Sequence, residues 1–323
     1  MERRHVGKGR TVTYDIVNVT PDTDQWLEER RKSVGASEVA AVMGLSKWAT
    51  PLDIYKSKHG IDRPFDPLIS LLGHEAERTL SRWLVELSGL NPNLTDGFMA
   101  RSREFPFIHA TPDRIWDGVP VQIKTAHEFT SQQWDEGIPT EYRVQVQTEM
   151  LVTGAPKALL VVQIGARDVR AIWEPRDEKF IRDYLVPAVK DFWDRVQAGE
   201  PPEPSTMGEL AEVWPADAKE AEVPEFAIEA LEKRAFLLAS VKEMTEEADQ
   251  IKLAVGQWMQ QEGVDTLTRD GRKFVTYKKQ KGRESLDTKA LRADHPELVT
   301  EYTKQGADFL VMRTHASKEK NNV

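Results

Sequence analysis

The sequence predicts an α/β fold, a mixed central sheet flanked by helices, with an appended C-terminal module of a long helix, a basic β-hairpin and a short helix. Three observations predict it. Apolar residues recur at helical spacing up to Gly89, then alternate at strand spacing through Pro175 with one helical segment in between. A stretch rich in Pro, "GEPPEPS" at 199–205, breaks the pattern. Beyond it, residues 224–262 form one charge-rich helical run. The expected division is 1–204 for the sheet-bearing domain and 205–323 for the C-terminal extension.

Each element follows from local signals. Residues 21–60 read as helical in two pieces: "DTDQWLEERRKS", opened by Asp and Thr, and "GASEVAAVMGL", with Ser37 near its start and Gly44 as its stop. Over 68–89, Leu72, Ala76, Leu80, Trp83, Leu84 and Leu87 form the stripe of an amphipathic helix, with Glu75 and Glu77 off it. "GFMARSREFPFIHATPDRIW", "VPVQIKTA", "KALLVVQIG" and "DVRAIWEP" read as strands. "TEYRVQVQTEMLVTG" is the intervening helix, ended at Gly154, and "DEKFIRDYLVPAVKDFWDRVQAG" is the next. In the extension, Asp270-Gly271 marks a two-residue hairpin turn, "DTKALRADHP" a short helix and "DFLVMRT" a last strand.

Composition narrows the function classes. The chain has 323 residues, 40% hydrophobic and 30% charged, as a soluble globular protein does. It has no Cys, which excludes disulfides, a thiol nucleophile and Cys-built metal sites and fits a reducing compartment. The seven His show no metal-ligand spacing. Residues 1–20 hold no apolar core of a signal peptide and no long apolar run follows, so a cytoplasmic protein without membrane association is expected. The net charge of −9 argues against indiscriminate nucleic-acid binding, yet residues 269–283 carry seven Lys or Arg against one Asp.

One stretch suggests chemistry. In "TPDRIWDGVPVQIKTA" (111–126), Gln122 and Lys124 lie two apart and so share a strand face, with Asp113 delivered by a Pro-Asp turn. By itself a Pro-Asp pair is commonly only a turn, Glu77 on a helix face a solvated charge, and Arg30 in "EERR" part of a surface run.

The surrounding words change that weighting. "WLEERRKSVGASEVAAVMGLSKWATPLDIYKSKHG", "GHEAE", "HATPDRIW" with "VQIKTA", and "YRVQVQTEMLVTG" resemble, in order, four blocks of the YqaJ-like viral recombinase family. That family includes the bacteriophage lambda exonuclease and falls within the PD-(D/E)XK nucleases. "TYKKQKGRESLDTKALRADHPEL" is similar to an extension found on many phage members. The resemblance implies a PD-(D/E)XK core and a Mg²⁺-dependent exonuclease, with Mn²⁺ able to substitute. Such an enzyme degrades one strand of linear duplex DNA from its 5′ end and leaves 3′ overhangs. It also implies work beside a single-strand annealing protein, a homo-oligomer of the ring-shaped trimer kind, and a host bacterial cytoplasm. Carried over by motif, Asp113, Gln122, the Ile123 carbonyl and Glu77 would hold metal and Lys124 would orient the attacking water. Arg30, Ser37, Thr111 and Gln145 would bind the 5′-phosphate, with Gln147 the alternative to Gln145 and Glu75 the alternative to Glu77. The chemistry agrees: hard oxygen ligands suit Mg²⁺, and an Arg fork with hydroxyls at a helix head suits a phosphate.

One position departs. The family has Glu where this chain has Gln122, which removes a negative charge beside the cation. Three explanations follow: a natural variant with Glu77, Glu75 or Asp117 supplying the charge, an engineered isosteric change, or a protein that binds DNA ends without cutting. A site-specific endonuclease would leave the phosphate-binding residues without a task.

Overall fold

The computed structural model describes residues 13–21, 23–62, 66–213, 220–306 and 311–313. The chain divides into two compact units, Met1–Val213 and Trp214–Val323. The first opens with β1 (Tyr14–Val17), α1 (Asp24–Arg31), β2 (Val34–Gly35), α2 (Ala36–Val42), α3 (Pro51–Lys58) and α4 (Pro67–Glu86). The two helical pieces expected over 21–60 are thus three. The third, α3, is set by Thr50, whose hydroxyl accepts from Asp53 N at 3.1 Å while the Asp53 carboxylate accepts from Thr50 N at 2.9 Å, with Pro51 in the first turn.

Five strands follow: β3 (Leu94–Asp96), β4 (Met99–Ser102), β5 (Ile108–Ala110), β6 (Arg114–Trp116) and β7 (Val119–Ala126). After a 3₁₀ turn and the short α5 (Ser131–Asp135) come α6 (Thr140–Thr153), β8 (Lys157–Ile164) and β9 (Asp168–Pro175). Then α7 (Glu178–Phe180) runs through a π-helical turn at Ile181–Leu185 into α8 (Val186–Ala198), and α9 (Met207–Glu212) closes the unit. The division expected at 204/205 falls instead after α9. Glu209 explains why, since its carboxylate accepts from Thr50 Oγ1 and from Ser205 N and so ties α9 to the head of α3.

The strands form two sheets, β1-β4-β5-β2 and the mixed β3-β6-β7-β8-β9, in which β7 and β8 pair in parallel. This is the expected α/β class. Alternation decides what each face of the mixed sheet packs on. Val121, Ile123, Leu159 and Val161 bury against Leu80 and Leu84 of α4, whereas Leu160 and Val162 bury against Val146 and Met150 of α6. The other side of α6 packs, through Val144, Leu151 and Val152, with Val34, Val39 and Ile108. Helix α6 is therefore enclosed from both sides, and every residue from Val144 to Val152 is buried.

The second unit holds α10 (Glu225–Gln261), the hairpin β10 (Thr266–Arg269) and β11 (Arg272–Thr276), α11 (Thr288–Asp294) and α12 (Pro296–Tyr302). The hairpin turns at Asp270 and Gly271, both with positive φ (50° and 74°), the conformation that a two-residue Asp-Gly turn uses. Helix α12, started by Pro296, follows the one short helix expected there. Of the expected strand 308–314, residues 308–310 and 314 lie outside the described residues, and 311–313 are not in a strand. Residues 1–12 also lie outside them. Among the described residues no helix is long and apolar enough to cross a membrane.

Candidate active site

The β6–β7 hairpin builds the centre of the site. Its turn is Asp117–Gly118, again with two positive φ values (48° and 81°), and its register sets Arg114 opposite Val121. Asp113, one residue before β6, therefore faces the middle of β7. Its Oδ2 accepts from Gln122 Nε2 at 2.6 Å and from the Ile123 amide at 2.7 Å. The Pro112–Asp113 bend is pressed against Gly97, where a Cβ would lie 1.6 Å from the Pro112 carbonyl oxygen. Only glycine fits that approach.

Gln122 and Lys124 share the α6 face of the sheet, as their spacing predicts. The Lys124 ammonium lies 5.6 Å from the centre of the Tyr142 ring. Glu77 arrives from α4, and one cleft of about 510 Å³ is lined by Glu77, Asp113, Gln122 and Lys124 together with Arg30, Ser37, Thr111 and Gln145. That volume lies in the range of about 300–1,000 Å³ usual for small-ligand sites. The structure thus brings all eight side chains to one place. The Ile123 side chain is on the opposite face, packed toward α4.

The alternatives lie elsewhere. Glu75 pairs with Arg78 at 2.5 Å on an exposed face. Asp117 sits in the hairpin turn and does not line the cleft. Gln147 is committed to structure: it donates to the Pro175 carbonyl at 2.8 Å and accepts from the Asp177 amide at 2.9 Å.

Arg30 is not a loose surface cation. Its guanidinium lies 4.6 Å from the centre of the Trp26 ring and donates to Glu38 Oε1 at 3.0 Å and to Ser37 Oγ at 3.5 Å. The other Glu38 oxygen accepts from the buried Lys58 ammonium at 2.6 Å and from the Gly35 amide at 2.7 Å, and Lys58 also donates to the Arg30 carbonyl at 2.8 Å. Burial works to raise the Glu38 carboxyl, but Lys58 and Arg30 hold it down at about 2. Beside them burial keeps the His109 imidazole neutral, its pKa lowered to about 3, with Nδ1 2.9 Å from the Ser33 hydroxyl. A buried network therefore fixes Arg30 with its remaining donors on the cleft.

The carboxyls near Lys124 behave oppositely. Burial, then the Asp113 charge, raises Glu77, and burial raises Asp113 against the pull of Lys124. Burial, then the Asp113 charge, pushes Glu149 of α6 up to about 8. Three side-chain oxygens here are buried without a hydrogen-bond partner: Thr111 Oγ1, Gln122 Oε1 and Glu149 Oε2. Among the described residues no group of three or more His, Cys, Asp or Glu side chains is placed to hold a metal ion alone. A hard cation fits only a mixed set of carboxylate, amide and carbonyl oxygens, and the unpartnered Gln122 Oε1 beside Asp113 offers such a donor.

Glu38, Lys58, His109 and Glu149 were not marked by the sequence. Glu38 carries a weak signal, an acid three residues after Gly35 at a helix start. Glu149 shows only as one more polar residue in "VQVQTEM". Lys58 and His109 are brought in from distant segments and leave no local signal.

Residues 25–156 match the YqaJ-like viral recombinase domain. The chain is 33% identical over 190 residues to the protein named YqaJ of Bacillus subtilis (strain 168), a match spanning 55% of this chain and 58% of that protein. Among solved structures it is similar to an alkaline exonuclease from Laribacter hongkongensis, at 23% identity and a TM-score of 0.46 over 55% of this chain and 94% of that one. It is also similar to a phage-related exonuclease from Haemophilus somnus 129PT, at 16% identity and a TM-score of 0.41 over 52% of this chain and 96% of that one.

Proposed function

We propose, from the match of residues 25–156 to the YqaJ-like viral recombinase domain, that the chain is a Mg²⁺-dependent exonuclease of linear duplex DNA. It degrades one strand from the 5′ end and leaves 3′ overhangs for strand annealing. The observation that carries the reading is the single cleft in which the phosphate-type donors Arg30 and Ser37 face Asp113, Gln122 and Lys124.

Asp113, Gln122 Oε1, the Ile123 carbonyl and Glu77 would hold Mg²⁺ or, in its place, Mn²⁺. When bound, the ion neutralises charge on the scissile phosphate and acidifies a water. The chain's own groups do the rest. Arg30, held by Glu38 and oriented over Trp26, receives the terminal 5′-phosphate with Ser37, Thr111 and Gln145. That contact seats the strand end, which makes the action exonucleolytic. Lys124, set on β7 beside Asp113, donates to the attacking water or to the phosphate oxygen that gains charge.

The partners in this reading are duplex DNA ends, a single-strand annealing protein and further copies of the same chain. Support for self-association comes from α10. Leu237, Val241, Met244, Ala248, Ile251, Val255 and Trp258 are all exposed and alternate at steps of four and three, the spacing of a coiled-coil seam. Glu247 and Lys252 flank it five residues apart, where a parallel second copy would pair them. A second reading, a DNA end-binding scaffold that does not cut, is favoured only by Gln122.

Incubation with linear and closed-circular duplexes, each with and without Mg²⁺, tests the proposal. Metal-dependent loss of linear DNA alone supports the exonuclease. Retention without cutting supports the scaffold, and nicked circles overturn both.

A further inference from the structure

Glu149 has no task in the reading above, yet its position is costly. It lies on the enclosed helix α6 and is fully buried. One carboxylate oxygen accepts from Gln145 Nε2 at 3.0 Å, and the other has no partner. A buried carboxyl with an unsatisfied oxygen is normally removed from a core or matched by a donor. Its nearest electrostatic neighbours are not structural groups but Asp113 and Lys124. Gln145, one turn earlier on the same helix, lines the cleft.

From the strand side, Gln122 presents the matching anomaly. Its amide nitrogen is spent on Asp113, and its Oε1 is buried without a partner. Once Glu149 is ionised, these two unpartnered oxygens on α6 and β7 are both acceptors and cannot satisfy each other. A hard cation between them satisfies both, since such ions take carboxylate and amide oxygens as ligands.

We propose that Glu149 is an anionic metal ligand of the site beside Asp113 and Glu77, replacing from helix α6 the carboxylate that Gln122 lacks on β7. Charge at the site then comes from Glu149 in addition to Asp113 and Glu77, and a neutral donor from Gln122 Oε1. The charge seen by the ion is that of a site with a carboxylate at 122, moved from the strand to the facing helix. This inference rests on the metal-dependent nuclease reading and specifies its ligands.

The test is calorimetric titration of Mn²⁺ into the full chain, with thermal unfolding run on each variant to report folding. Glu149→Gln keeps shape and hydrogen bonding but removes the charge, and should weaken Mn²⁺ affinity by at least ~10-fold. Adding Gln122→Glu in that background returns a carboxylate to the strand and should restore the lost affinity. Glu149→Asp, which keeps the charge but withdraws it by one methylene, gives an independent measure should Glu149→Gln not fold, and its affinity should also fall. Wild-type affinity in Glu149→Gln or Glu149→Asp, with binding lost in Asp113→Asn, overturns the role of Glu149 and leaves the nuclease reading standing. Absence of Mn²⁺ binding by the wild-type chain overturns both.

Discussion

The two most telling helices of this protein, α6 and α10, break the usual pattern in opposite ways. Helix α6 is buried on all sides from Val144 to Val152, yet four of those nine residues are polar. Helix α10 runs for 37 residues with Met259 as its one buried position, yet it carries a continuous apolar seam. Burying a polar group costs free energy unless it is bonded, and exposing a seam of large apolar groups forfeits what their burial contributes. Each anomaly therefore points to something the helix serves.

In α6 the accounting separates structure from function. Thr148 donates to the Val144 carbonyl at 2.8 Å and Gln147 ties the helix to the end of β9, so both are satisfied within the fold. Gln145 lines the cleft and donates to the fully buried Glu149 behind it, and Glu149 retains an unpartnered oxygen. In α10 nothing polar is misplaced, and what lacks a partner is apolar area at coiled-coil spacing. Unpartnered polar atoms in a core point to a site; a run of exposed apolar residues on a long helix points to an interface.

Four measurements break or sharpen this contrast, beginning with the largest effect. Lys58 supports the site unit from inside: its ammonium is buried against Glu38. Lys58→Met leaves the buried Glu38 Oε2 without its cation, with Arg30 on the other oxygen as the remaining counter-charge, and should cost about 3 kcal/mol, read by urea unfolding. It should also free Arg30, so that turnover of 5′-phosphorylated ends falls more than that of 5′-hydroxyl ends. A loss below about 1 kcal/mol would mean that the network is solvated rather than buried.

Next comes Lys124→Ala. Removing a cation aimed at developing charge should slow cutting of linear duplex by about 10²–10³-fold. DNA binding, which rests on phosphate contacts elsewhere, should change little. Parallel loss of binding and turnover would move Lys124 from the chemistry to mere attachment.

These two residues also mark how far the sequence could be read. Lys124, Asp113 and Gln122 are legible because strand alternation and a Pro-Asp turn are local rules, and the hairpin register then joins them. The end of α6 at Gly154 and the Asp270-Gly271 turn are legible for the same reason. Lys58 is not: it lies 20 residues from Glu38 and 51 from His109, and only the packing of α3 against the rest of the unit brings the three together. The α3 start was present in the capping pair Thr50 and Asp53 but lies in a segment whose apolar pattern is weak. Glu149 was hidden because a helix pattern states which residues share a face, not that both faces are covered.

The third measurement is acid and alkaline unfolding with a chelator present. Glu149 has a folded value of about 8 against an ordinary 4.5, so the folded state holds the extra proton and stability falls as pH rises through that window. His109 runs the other way, about 3 against 6.5, so the unfolded chain takes the proton first and stability falls as pH drops. Glu38, at about 2 against 4.5, adds to the acid loss below pH 4.5. Each proton contributes a slope of about 1.4 kcal/mol per pH unit. Between pH 4.5 and 6.5 the Glu149 and His109 slopes cancel, which gives a plateau with a falling arm on either side. Glu149→Gln should flatten the alkaline arm and, with His109 then unopposed, turn the plateau into a stretch where stability rises with pH. An unchanged alkaline arm in that variant would show the carboxyl to be ionised and bonded in the metal-free protein.

The smallest expected change in monomer stability is on α10, and it closes the contrast from the other side. Ile251 is 61% exposed on the seam, so Ile251→Glu removes little buried area within one copy. Unfolding measured at low protein concentration should therefore shift by no more than about 0.5 kcal/mol, as for most surface substitutions. Self-association should respond strongly, because a charge at a seam position is desolvated on pairing and meets its own copy across the interface. Sedimentation of wild type and Ile251→Glu across a concentration series reads this directly, with the wild type shifting to larger species and the variant staying monomeric. Oligomers of equal size in both would take the seam out of the interface. A large loss of monomer stability would mean that the seam is covered within a single copy, and that α10, like α6, is a core helix.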